Sequence, residues 1–153
     1  ATGRDAAVLD DVGADEAIVL ADDAEALERR FMTVFAEGVD VVVDYLWGVS
    51  AERLLIAAAK VGRNAVPLRF VAVESLSDET IALPSAVLRA SAVELMGSGV
   101  GSVSLDRMMA VVKDLLREAV PVGLSIPVRQ VPLWVVEQAW VTPDDGRRIV
   151  FTP

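Results

Sequence analysis

Four short runs rich in β-branched and apolar residues, at 17–20, 39–44, 69–74 and 92–96, are spaced along the chain with helix-period stretches between them. That rhythm predicts an α/β fold, a parallel sheet wrapped by helices. Between the first two runs, Ala24, Leu27, Phe31, Val34 and Phe35 fall on one helical face, and Glu25, Glu28, Arg29 and Arg30 read as the wet face. Asp22 or Asp23 is placed to cap this helix and Gly38 to stop it. The next helix is expected to follow Ser50 as its cap, with Arg53 where a capping box would carry an acid, to send Leu54, Leu55 and Ala58 inward, and to end near Gly62. Further on, Leu105, Met108, Met109, Val112, Leu115 and Leu116 form the clearest amphipathic stripe, with Asp106, Lys113, Arg117 and Glu118 outside and Pro121 and Gly123 ending it. After that the style changes: 124–131 and 148–151 read as strands around a short helix at 133–140, without the βαβ rhythm.

Composition narrows the chemistry. The 153 residues are 54% hydrophobic and 24% charged, the makeup of an ordinary soluble globule, and no apolar run approaches a membrane span. With 14 Lys+Arg against 23 Asp+Glu the net charge is −9, which argues against nucleic acid and anionic membranes as partners. The absence of Cys and His removes disulfides, thiolate nucleophiles, Cys-type zinc sites and the commonest general base. The opening Ala1-Thr2-Gly3-Arg4-Asp5 lacks the features of a signal peptide and reads as a cut end, and a cytoplasmic location is expected.

In doubly wound sheets ligands gather at the carboxyl ends of the strands, here 2–4, 44–48, 74–77 and 96–101. The segment Gly97-Ser98-Gly99-Val100-Gly101-Ser102 lies between a strand and a helix, as a dinucleotide fingerprint would. Its last glycine is replaced by Ser102, however, and no second βα unit follows, so a flexible turn is the plainer reading.

A succession of motifs resembles the medium-chain dehydrogenase/reductases, in the quinone-reductase and alcohol-dehydrogenase branch. These are Gly13-Ala14-Asp15, Gly38 before Val39-Asp40-Val41-Val42-Val43-Asp44, Phe70-Val71-Ala72-Val73, Glu94-Leu95-Met96-Gly97-Ser98, the long amphipathic helix, Val136-Glu137-Gln138-Ala139-Trp140, and Gly146-Arg147-Arg148-Ile149-Val150. The resemblance covers nearly the whole chain in order and is carried by the succession of motifs. It implies a Rossmann-like, doubly wound parallel sheet lacking its first strand and Gly-rich turn (1–121), followed by a return to the substrate domain (122–153). The parent would pass a hydride from NADPH to a quinone, enone or carbonyl substrate. The catalytic residues would lie outside this half, which would be inactive alone and gives no support for zinc.

The same resemblance places cofactor contacts at Arg4, Asp44, Tyr45, Val73, Glu74, Met96, Gly97 and Arg147. Arg4 stands where enzymes using NAD usually carry an acid, and an Arg there can pair with a 2′-phosphate; the alternative is a surface Arg neutralised by Asp5. Asp44 and Tyr45 would face the adenosine half, with Trp47 either walling that cleft or acting as a core lid. Glu74 would crowd the nicotinamide ribose or bind a hydroxyl, and Met96 and Gly97 would lie near the nicotinamide. Arg147 would approach the phosphates or pair with Asp144 or Asp145, and Trp134 and Trp140 are expected in the core.

The run at 92–96 is short and apolar, suited to an edge where Val93 and Leu95 join a two-fold copy in a homodimer. The missing first strand would leave a gap between the strand ending at Thr2 and the strand at 39–44. That gap would be filled by a separate segment, by rearrangement, or by another chain. A second functional reading is a non-catalytic Rossmann-like remnant that self-associates.

Overall fold

A computed structural model describes residues 1–4, 9, 13–20, 23–143 and 146–153, so the expectations for Asp5, Asp22, Asp144 and Asp145 fall outside the described residues. The chain divides into two compact units, Ala1–Val103 and Ser104–Pro153.

The first unit holds β1 (Thr2–Gly3), β2 (Ile18–Val19), α1 (Ala24–Glu37), β3 (Val41–Asp44), α2 (Gly48–Val61), β4 (Leu68–Ala72), α3 (Ser85–Arg89) and β5 (Val93–Gly97). Every pairing is parallel: β1 with β2 in one sheet, and β3, β4 and β5 in that order in another. Parallel neighbours need a crossover, and the helices supply it.

In α1 the buried positions Leu27, Phe31 and Phe35 recur every four residues, so one stripe meets the sheet. Asp23 caps its start by accepting from the backbone N–H groups of Glu25 and Ala26. Gly38 ends it at φ 107°, a conformation that excludes most side chains. In α2 the buried Ala51, Ala57 and Ala58 let the helix lie close against its neighbours. One core joins Ile18, Leu27, Phe31, Phe35 and Leu68, and another joins Leu55, Phe70 and Val87. Burial of each such large side chain contributes about 1.5–3 kcal/mol. Val42 and Val93 pack toward these helices. On the other face Val41, Val43 and Met96 are exposed.

Two sequence expectations are corrected here. The second helix begins at Gly48, ahead of Ser50, whose hydroxyl donates to the carbonyl of Trp47 at 3.1 Å. Glu28, assigned to the wet face of α1, is buried: Lys60 Nζ reaches its Oε1 at 2.5 Å and Arg53 Nη1 its Oε2 at 3.2 Å. A helical pattern cannot distinguish a solvated acid from one covered by cations of a neighbouring helix.

The expected gap is present. Among the described residues β3 pairs with β4 alone, and β1 with β2 alone. A cavity of about 400 Å³ is lined by Thr2 of β1, Val41 and Val43 of β3, and Phe31 and Phe35 of α1. No described residue of this chain rearranges to fill it.

The second unit holds α4 (Leu105–Ala119), β6 (Val128–Pro132), a 3-10 turn (Leu133–Val135), α5 (Val136–Trp140) and β7 (Arg148–Thr152). Ser104 caps α4 by accepting from the N–H of Arg107 at 3.3 Å. No residue of α4 is buried, so its apolar stripe is exposed. β6 and β7 pair in parallel through a helical connection, so the tail carries the βαβ arrangement it was expected to lack. The connecting helix α5 is only five residues long, too short to show a period in the sequence. Trp134 and Trp140, expected in the core, are 76% and 80% exposed, and Ala139 is the residue that α5 buries.

The Glu28 cluster makes a pH prediction. The Lys60 ammonium bonded to Glu28, assisted by Arg53 and opposed by desolvation, holds this carboxyl below its ordinary value of 4.5. A lowered folded pKa gives stability that is complete above about pH 4.5 and is lost as pH falls through the folded value. Glu28→Gln should cost about 1–2 kcal/mol at pH 7, the low end for a charged bond because Lys60 is half exposed. Its urea-unfolding free energy should also vary less than wild type between neutral and acid pH.

Candidate functional site

The carboxyl ends of the three-stranded sheet lie in one row, because the register pairs Asp44 with Ala72 and Ala72 with Gly97. Parallel strands present this edge together, and the chain then turns into loops there. The turns are tied across the edge: Val73 N–H donates to the Asp44 carbonyl at 2.7 Å, and Ser98 N–H to the Ala72 carbonyl at 2.8 Å. Leu76 and Ser77 N–H groups donate to the carbonyls of Tyr45 and Leu46 at 3.1 and 2.8 Å. Asp44, Tyr45, Val73, Glu74, Met96 and Gly97 are thereby brought to one end of one sheet. Arg4 follows β1, on the other side of the gap, and Arg147 belongs to the second unit.

Asp44 is buried, and its carboxylate is used inside the protein. It accepts from the N–H groups of Leu46 at 3.3 Å and Trp47 at 2.8 Å. These bonds fold the chain back on itself, and the sharpness of the turn shows in Trp47 at φ 58° and Gly48 at φ 64°. A side chain at Gly48 would also approach the Asp78 Cβ to 3.0 Å, where the 75–80 loop crosses. Trp47 packs edge-on against Phe70, with ring centroids 6.3 Å apart, which is the core-lid alternative. Tyr45, 54% exposed, remains open to solvent.

Glu74 is exposed, and its Oε1 accepts from the N–H of Ser75 at 3.0 Å. Gly97 opens onto free space, with nothing within 4 Å of where a side chain would begin. The following turn closes on itself: the Ser102 hydroxyl donates to the Gly99 carbonyl at 2.8 Å, and its oxygen accepts from the Gly99 N–H at 2.9 Å. Ser102, the residue that breaks the fingerprint, is therefore what shapes this turn. Arg147 lines a cavity of about 560 Å³ in the second unit with Arg129, Arg148 and Trp140.

Sequence reasoning missed Glu52. Its carboxylate accepts from the Ala82 N–H at 3.2 Å and ties the loop after β4 to α2. The only signal was an acid at the start of a helix, which ordinarily serves the helix itself. Among the described residues no group of three or more Asp or Glu is arranged to hold a metal ion.

No protein-family model and no curated protein matches the chain. Solved structures do. A candidate NADPH:quinone reductase from Mesorhizobium loti superposes with a TM-score of 0.69 at 18% identity, over 99% of this chain and 45% of that one. AibC gives 0.66 at 24% identity, over 99% and 41%, and CurK enoyl reductase gives 0.60 at 15%, over 99% and 46%. The chain thus spans less than half the length of each. At these identities the likeness establishes the fold alone: a Rossmann-like α/β arrangement of parallel strands and helices.

The turn bonds of Asp44 are directly testable. Asp44→Ala leaves two partly buried N–H groups without their acceptor and should cost about 1–3 kcal/mol in urea denaturation followed by circular dichroism. Asp44→Asn keeps an acceptor oxygen and should recover much of that loss. Equal stability of Asp44→Ala and wild type would show that the turn forms without the carboxylate.

Proposed function

We propose that this chain is part of an NAD(P)H-dependent oxidoreductase, to which it contributes the outer strands of the dinucleotide domain and a C-terminal segment of the substrate domain. The observation that carries the reading is the row of parallel strand ends bearing Asp44, Val73, Glu74, Met96 and Gly97 at one edge. The names of two of the similar structures, a candidate quinone reductase and an enoyl reductase, support a hydride transfer to a quinone, enone or carbonyl acceptor.

The residues fit a nicotinamide dinucleotide at its periphery. Gly97 leaves room for a ring to approach the backbone, Tyr45 offers an exposed aromatic face, and Arg4 offers a cation at a strand end, which favours NADPH. Asp44 holds the turn under Tyr45 through two backbone bonds, one to each carboxylate oxygen, and each oxygen keeps a lone pair that a ligand hydroxyl can use. The bound cofactor would supply the hydride. This chain's part is to orient it, and no group here is assigned as acid or base. β5 has one unpaired edge, to which a second copy could add in a homodimer.

The isolated 153-residue chain should bind NADPH more weakly than about 0.1 mM, less than about 5.5 kcal/mol, since only peripheral contacts are present. Sub-micromolar binding in a fluorescence titration would overturn the reading of a partial site. In the intact parent, Arg4→Ala should weaken NADPH more than NADH by about 1.5–3 kcal/mol. Equal losses for the two cofactors would remove Arg4 from the site. Sedimentation velocity should show a dimer at tens of micromolar, and a monomer there would remove the pairing through β5.

A further inference from the structure

We propose that the cavity at the amino ends of β3, β4 and β5 is a separate ligand site that takes a small phosphate monoester, with the phosphate held by Arg63 and Arg89 and a compact apolar body resting on Phe35 and Leu68. The cavity lies at the end of the sheet opposite the row of Asp44, Ala72 and Gly97, so the inference stands whether or not the cofactor reading holds.

The walls form where helices end and strands begin. A volume of about 340 Å³ is enclosed by the connection from α1 to β3 at Gly38 and Val39, that from α2 to β4 at 62–66, and that from α3 to β5 at 89–93. In a chain of net charge −9, this lining holds Lys60, Arg63 and Arg89 and, among the described residues, no Asp or Glu. Glu37 and Asp40, beside Gly38 and Val39 in sequence, fall outside it. Lys60 is bonded to Glu28, whereas Arg63 and Arg89 have no ion-pair partner among the described residues. Two guanidinium forks left without a carboxylate beside one cavity are suited to an oxyanion that accepts from both.

Two backbone features hold Arg63 at the rim. Its guanidinium lies against Gly38, where a Cβ would collide with it, so the glycine that ends α1 also makes room for the cation. The chain then turns through Ala65 at φ 59°, a left-handed conformation unfavourable to an L-residue, and the Val66 N–H closes the turn by donating to the Arg63 carbonyl at 3.2 Å. Strain of this kind, kept at the edge of a cavity, is a mark of a functional position. The ends of α1, α2 and α3 also meet here, where the N–H groups of Gly38, Gly62 and Ala90 donate to their last carbonyls. Each end carries about half a negative charge, and the five-residue α3 less, so together they fall short of the two full charges of Arg63 and Arg89. The cavity is left positive over a floor of Phe35, Ala58 and Leu68, which are buried within the core. A phosphate dianion answers two separate cations and offers three acceptor oxygens, more than a carboxylate can, and the floor favours a ligand that covers it with apolar surface.

The test follows the arginine Nε–H signals of the 153-residue chain by NMR at constant ionic strength, with phenyl phosphate, inorganic phosphate and benzoate as probes. Phenyl phosphate should shift the Arg63 and Arg89 signals together and saturably, with a Kd below about 1 mM. Inorganic phosphate, which lacks the apolar body, should bind about threefold or more weakly, and benzoate, with a single charge and two oxygens, about tenfold or more weakly. Arg63→Gln and Arg89→Gln, both at exposed positions, should each weaken phenyl phosphate about tenfold with circular dichroism unchanged, whereas Arg107→Gln in the second unit should leave the affinity as it was. A weaker Kd for phenyl phosphate, or equal shifts at Arg107, overturns the site and assigns the effect to general charge screening. Benzoate binding as tightly as phenyl phosphate overturns the phosphate as its ligand, and unchanged affinity in both glutamine variants of the pair overturns their role.

Discussion

A parallel sheet cannot close its own hydrogen bonds locally, and that constraint governs the first unit. Each of β3, β4 and β5 must leave the sheet, cross one of its faces and return, so the helices are set by the strands they connect. Among the described residues of this unit, β4 alone has strand partners on both sides, and Phe70 at its centre is fully buried under α2 and α3. Outward from β4 the satisfaction of backbone groups declines until it stops at the open edge of β3. Among the described residues no strand pairs with that edge, and α1 packs beneath it.

Much of this was legible in the residues, and the reasons are physical. The runs of β-branched residues mark β2 to β5 because extended chains between packed layers favour them, and the four-residue spacing of Leu27, Phe31 and Phe35 marks α1. The start of α2 was not legible. The residue responsible, Asp44, stands at the end of a strand and reaches forward to Leu46 and Trp47, so Ser50 offered the more familiar signature three residues inside the true cap. Glu28 failed for a different reason: its partners Arg53 and Lys60 lie on another helix, and periodicity carries no information about neighbours distant in sequence.

The candidate site divides in the same way. Strand ends are a property of topology, so the row holding Asp44, Val73 and Gly97 could be anticipated from the order of elements. The use of each side chain was less accessible, because it depends on which backbone donors a turn leaves nearby. Asp44 accepts the backbone donors of its own turn, Glu74 accepts from the next residue, and Ser102 closes the loop whose glycines had suggested a dinucleotide fingerprint. The edge as it stands is a platform with open space above Gly97.

The placement of the three tryptophans gives the molecule a built-in optical division. Trp47 is half-buried against Phe70 in the first unit, whereas Trp134 and Trp140 stand in solvent in the second. Indole emission shifts to the blue in apolar surroundings, so the short-wavelength part of the spectrum belongs to the strand-end turn alone. Acrylamide will quench the other two first and leave Trp47 as the residual signal. A single unlabelled sample therefore reports separately on the two halves of the chain, and loosening of the Asp44 turn would register as a red shift confined to the unquenched fraction.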